Sequence, residues 1–91
     1  MDTNKKIVKN ENNSSILGAF VSIFDRFGVT DYNEHETLEE AVKSLKYGSD
    51  EGLIMDIAII ETKTRAMVWY QKFLGKRECK ANVDMFIKDY L

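Results

Sequence analysis

Ninety-one residues suffice for one small domain with a modest core. A hydrophobic content of 44%, a charged content of 31% and a net charge of −2 are ordinary for a globular chain, and the whole-chain charge argues for neither nucleic acid nor a membrane surface. No apolar run approaches the roughly 18 residues that cross a bilayer. The single cysteine, Cys79, cannot form an intramolecular disulfide.

Met1 to Lys6 is followed by polar residues, so no secretory leader is expected and a reducing cytosol is the natural setting. The proline-free composition, rich in Lys, Asn and Ile, suits an AT-rich genome such as that of a Firmicute or a phage. Residues 1–15 are polar, with Ile7-Val8 their one apolar pair, and read as a mobile N-terminal arm. Its lysines Lys5, Lys6 and Lys9 could touch an acidic partner, although a frayed terminus is the simpler reading.

The remainder, 16–91, reads as a single α+β domain. Ile16 to Phe27 carries two patterns. Ile16, Leu17, Phe20, Val21, Phe24 and Phe27 fall at helical spacing, whereas Phe20, Ser22 and Phe24 alternate with Ala19, Val21 and Ile23 as in a strand. The strand is favoured because Asp25-Arg26-Phe27-Gly28 suits a turn into a second strand, Val29 to Tyr32.

Thr37-Leu38-Glu39-Glu40 is a capping box: the Thr37 hydroxyl accepts from the Glu40 amide, and Glu40 reaches back to the Thr37 amide. Leu38, Ala41, Val42 and Leu45 then form one helical face, and Gly48 is placed to end the helix in a left-handed conformation. Leu53 to Phe73 follows as a β-hairpin around Thr62-Lys63-Thr64. Its first strand is apolar on both faces, with Leu53, Met55, Ile57 and Ile59 on one side and Ile54, Ala58, Ile60 and Asp56 on the other, which marks a covered central strand. Its second strand places Met67, Trp69, Gln71 and Phe73 on one face and Ala66, Val68, Tyr70 and Lys72 on the other. Gly75 to Glu78 reads as a connection, and Val83, Phe86, Ile87 and Tyr90 as a closing helix capped at Asn82. The order β-β-α-β-β-α predicts one antiparallel sheet packed by two helices on one side.

Charge is uneven along the chain. Asp31 to Glu51 holds seven acids against Lys43 and Lys46, a local charge of −5. Lys63 to Lys80 holds six bases against Glu78, a local charge of +5. Opposed patches steer encounters with charged partners, though both could equally be solvated faces. The candidate partner-binding residues are the acids Glu34, Glu36, Glu39 and Glu40, and the basic set Arg65, Lys72, Lys76 and Arg77 with Tyr70 as an exposed aromatic. Trp69 reads as core rather than as a stacking platform.

No catalytic or cofactor signature is present: no phosphate loop, no serine elbow, no cysteine with a histidine partner. His35, the one histidine, reads as an exposed loop residue, and the calcium-loop pattern fails at Glu36 and Val42. No metal and no cofactor is expected. The reading is a small non-enzymatic binding protein acting through a protein partner, of inhibitor, adaptor or immunity type. The alternative is nucleic-acid binding by the basic 63–80 stretch. A third reading is a small-molecule binder or enzyme with a pocket near Asp56, whose carboxylate in an apolar strand must be paired or lie at the surface or a bulge. Self-association through the outer hairpin edge or the last helix is also consistent with the pattern.

Overall fold

The computed structural model describes Ile16 and residues 18–91; the arm read over 1–15 lies outside the described residues. The elements are β1 (Phe20–Arg26), β2 (Val29–His35), α1 (Leu38–Asp50), β3 (Met55–Glu61), β4 (Met67–Tyr70) and α2 (Lys76–Tyr90). The strands form one sheet in the order β2-β1-β3-β4, with every neighbouring pair antiparallel. The α+β order is the one the sequence predicts, and β1 takes the strand alternative rather than the helical one.

The helices do not share one side of the sheet. Val21, Ile23, Ala58 and Ile60 pack with Cys79, Val83 and Phe86 of α2. Phe24 and Ile59 pack with Ala41 and Leu45 of α1. Successive strand residues point to opposite faces, so two clusters built from alternate residues of β1 place one helix on each face. The cause lies in β1 and β3, which are apolar on both faces and central. A sheet with two apolar faces needs a cover on each.

Two β-bulges reset the alternation. Ile23 opposes Ala58 while Phe24 opposes Asp56, so Ile57 is an inserted residue. Ile57 therefore joins Ala58 in the cluster beneath α2 instead of sharing a face with Ile59. In β4, Ile59 opposes Trp69 and Ile60 opposes Met67, so Val68 is inserted. Trp69 packs against the α1 cluster, whereas Met67 and Tyr70 pack against the α2 cluster. The expected pairing of Met67 with Trp69 on one face is lost for this reason.

β1 and β2 are joined by the two-residue turn Phe27-Gly28, in which both residues have positive φ (52° and 85°). This is the primed turn whose twist matches a hairpin, and it favours Asn-Gly. Asp25 Oδ1 accepts the Gly28 amide at 2.7 Å.

α1 begins as predicted at Thr37, whose Oγ1 accepts the Glu40 amide at 3.1 Å. Glu40 Oε1 reaches one residue further than expected, to the Glu36 amide at 3.1 Å. The helix also runs past Gly48 to Asp50. The stop is Gly52 (φ 73°): its amide bonds Ser49 O, and the Leu53 amide bonds Gly48 O, the paired closure of a Schellman motif. Gly48 is buried inside the helix for a packing reason, since a Cβ there would lie 2.8 Å from Ile54. α2 starts two turns earlier than predicted, at Lys76, because Lys-Arg-Glu-Cys-Lys-Ala are tolerable helix residues and Cys79, Val83 and Phe86 share one buried stripe. Asn82 does not cap it; its side-chain amide donates to Glu78 O at 3.0 Å.

Candidate functional site

The acidic candidates lie around the junction of β2 and α1. Glu34 stands on β2, where Oε1 accepts the Gly18 amide at 2.7 Å. Glu36 and Glu39 are exposed, and Glu40 closes the start of α1. Local structure thus uses Glu34 and Glu40, while the carboxylates of Glu36 and Glu39 face solvent.

The basic candidates do not converge on one spot. Arg65 sits in the β3–β4 turn at φ 65°, and its guanidinium donates to the Leu91 carbonyl at 2.9 Å, tying that turn to the end of α2. Lys72, Lys76 and Arg77 are exposed at the other end of β4, around the start of α2. Lys80 pairs with Asp84 at 2.8 Å. Tyr70, expected as an exposed aromatic beside Lys72, is half-buried against the α2 cluster, because it opposes Ala58 on the face of the sheet that α2 covers.

Asp56 is buried beside the Ile57 bulge, and its Oδ2 accepts the Gln71 side-chain amide at 2.9 Å. The Gln71 backbone amide in turn bonds Ile57 O at 2.9 Å, so Asp56 and Gln71 clamp the end of β4 to the start of β3. Asp56 lines neither of the two clefts described below.

His35 is not an exposed loop residue. It ends β2, half-buried, with Nε2 2.9 Å from Oγ of the fully buried Ser22 on β1. Burial lowers its pKa from the ordinary histidine value, and nearby Glu40 opposes part of that shift. A serine and a histidine at hydrogen-bond distance are the first two members of a nucleophilic triad. Here Ser22 is sealed between β2 and β3 and beneath α1, so the pair is a structural bond. Cys79 is also sealed, and burial pushes its thiol pKa up, which makes it a poor nucleophile. Among the described residues, no cluster of His, Cys, Asp and Glu is arranged to hold a metal ion. No helix among them is long and apolar enough to cross a membrane.

Phe73, between β4 and α2, is the most exposed large apolar side chain, and a second group of exposed apolar side chains lies at the β1–β2 turn and beyond the end of α1. Phe27 is 87% exposed at the tip of the hairpin, and Val29, Tyr47, Leu53 and Met55 are exposed near it. An open cleft of ≈ 320 Å³ lies between them, lined by Phe24, Phe27, Tyr47, Leu53 and Ile54. Arg26 borders it with its guanidinium carbon 5.6 Å from the Phe24 ring centre. None of these residues was among the sequence candidates. The available signal was Phe27-Gly28, where a two-residue turn prefers Asn-Gly.

A second groove, of ≈ 120 Å³, runs between β2 and α2. Tyr32, Phe86 and Tyr90 line it with ring centres 4.9 to 5.1 Å apart, and Asp31 and Asp89 stand at its rim. Burial, then the neighbouring Tyr90, Glu34 and Asp31, raise the Tyr32 pKa.

Comparison with protein-family models, with curated proteins and with solved structures returned no match.

Proposed function

We propose that this chain is a small non-enzymatic binding module that recognises a protein partner, with Phe27 at the centre of the recognising surface. The carrying observation is the state of that residue. A bulky side chain in the left-handed region costs on the order of 1–2 kcal/mol. Phe27 adopts that conformation while 87% exposed, so the fold gains little from its ring. Its surroundings have the make-up of an interaction hot spot: an aromatic tip, flanking Arg26 and Tyr47, and an apolar cleft, with Lys46, Asp50 and Glu51 exposed at the end of α1. An inhibitor, adaptor or immunity-type role fits a surface of this kind on so small a domain.

The test is affinity capture from a lysate of the source organism with the wild-type chain, F27N and the double variant E36K/E39K. The proposal expects one dominant protein on the wild-type chain and its loss with F27N, a variant expected to be the more stable protein. Retention by F27N with loss by E36K/E39K would move recognition to the acidic surface. Retention by both variants, or no specific protein at all, would overturn the reading.

A further inference from the structure

Folding sorts the basic stretch into cations that are used and cations that are not. Arg65 is tied to the Leu91 carbonyl in the β3–β4 turn, and Lys80 pairs with Asp84. Lys72, Lys76 and Arg77 remain, at the opposite end of β4. All three are exposed, and among the described residues none of them makes an ion pair. Lys76 and Arg77 stand in the first turn of α2, where the helix dipole favours acids over bases. The helix therefore gains nothing from their charge.

Phe73 sits among these cations. The Leu74 amide bonds Gln71 O at 3.1 Å and the Gly75 amide bonds Lys72 O at 3.1 Å, so Lys72 and Phe73 are the central residues of a tight turn that leads straight into α2. The Phe73 ring is 92% exposed. Among the described residues it meets no other ring and no cation. Neither of the two clefts reaches it. It is a protruding flat face, not the wall of a pocket.

The carboxylates nearby do not neutralise the group. Glu78 is the one acid from Lys72 to Lys80. It follows Arg77 by one residue and Lys76 by two, spacings at which helical side chains do not face each other. Asp56 is buried and bonded to Gln71. Asp50 and Glu51 end α1, which covers the other face of the sheet. Three unpaired cations call for an anionic partner. An acidic peptide would use the charges and leave the bare ring idle. A single-stranded nucleic acid uses both, because every base has a face that can stack and phosphates flank it.

We propose that the β4–α2 turn binds single-stranded nucleic acid, with one unpaired base stacked on Phe73 and the flanking phosphates neutralised by Lys72, Lys76 and Arg77. One aromatic platform reads no sequence, so the recognition is of the strand and not of its bases. This surface is independent of Phe27, and its test separates the two.

The test is fluorescence anisotropy of the full chain, at low salt, with a labelled twelve-nucleotide oligothymidylate and with a duplex of the same length. Oligothymidylate is expected to bind, with log affinity falling against log salt at a slope of about −2 for three phosphate contacts. Phe73→Ala should weaken it about tenfold, the loss of one stacked base, and leave duplex binding unchanged, because paired bases are already stacked. K72E/R77E should weaken both at least tenfold, and F27N neither. In the isotopically labelled chain the oligonucleotide should shift the amides from Lys72 to Arg77. No binding at low salt, equal oligothymidylate affinity for F73A, or shifts centred on Phe27 would overturn the proposal. Equal affinity for a polyglutamate of the same charge would give the surface to an acidic protein. Binding to phosphatidylserine vesicles without binding to oligothymidylate would give it to a membrane, and either result overturns the proposal as well.

Discussion

Ser22 Oγ and His35 Nε2 lie 2.9 Å apart across the β1–β2 pair, with Ser22 fully buried and His35 half-buried at the strand end. The bond holds the last residue of β2 against the sheet just before the chain turns into α1. It also makes the protonation of His35 a matter of stability.

Burial lowers the folded-state pKa of His35 against an unfolded value of about 6.5. The unfolded chain then binds the proton more readily. The contribution of the neutral ring is fully present above pH ~6.5 and is lost as pH falls below it, through the lowered folded value. Urea midpoints should therefore drop between pH 7.5 and pH 5.5, and His35→Gln should flatten that drop. An equal slope in both proteins would rule out the assignment.

Phe27→Asn should stabilise the isolated domain, by about 1 kcal/mol. Asn tolerates the left-handed region and suits the first position of a primed turn. Chemical denaturation compares the two chains directly. A loss of stability would mean that the Phe27 ring packs in the cleft strongly enough to offset its backbone strain.

Gly52→Ala and Gly48→Ala should both destabilise, for different reasons. At Gly52 the cost is backbone strain at φ 73° in an open position, on the order of 1 kcal/mol. At Gly48 it is overpacking against Ile54, typically about 1–3 kcal/mol. Pairing each with Ile54→Val distinguishes them. Ile54→Val should relieve the penalty at Gly48 and leave that at Gly52 unchanged.

Gln71→Leu should cost about 1–3 kcal/mol, because it leaves the buried Asp56 carboxylate without its amide donor. Replacing both partners with apolar residues should be milder than replacing Gln71 alone, since no orphaned charge remains. A thermal-denaturation cycle over Asp56→Leu, Gln71→Leu and the double variant measures this. Additive losses would show that the two side chains are uncoupled.

Leu45→Ala should cost about 2–5 kcal/mol and Ile60→Val about 0.5–1.5 kcal/mol. Their effects should sum to within about 0.5 kcal/mol, because Leu45 belongs to the α1 cluster and Ile60 to the α2 cluster on opposite faces of the sheet. Strong non-additivity in guanidinium denaturation would mean that the two layers share one core.

Local chemistry was legible in the chain itself. The Thr37 cap, the face of Leu38, Ala41, Val42 and Leu45, the turn at Phe27-Gly28 and the two-sided apolar β3 follow from hydrogen-bonding capacity and side-chain period, which act over a few residues. The order of elements and the α+β class follow from them. Helix ends were less legible. Gly48 resembles a stop until Ile54 shows why a glycine must be there, and Lys76 to Glu78 resembles a loop until Cys79 is seen to be buried with Val83.

What only the tertiary structure decided is how the elements meet. The one-residue bulges at Ile57 and Val68 reverse which face their neighbours join, and no local pattern announces them. The Val68 bulge sets Met67 on the face opposite Trp69, and α2, by covering that face, half-buries Tyr70 as well. The split of the helices between two faces depends on both central strands at once, a non-local condition. The functional surfaces follow the same division. Charge along the sequence pointed to Glu34 through Glu40 and Arg65 through Arg77, yet folding ties Arg65 to Leu91, Glu34 to Gly18 and Glu40 to Glu36. The exposed Phe27 cleft emerges only when distant segments come together, because exposure belongs to the packed molecule and not to the residue.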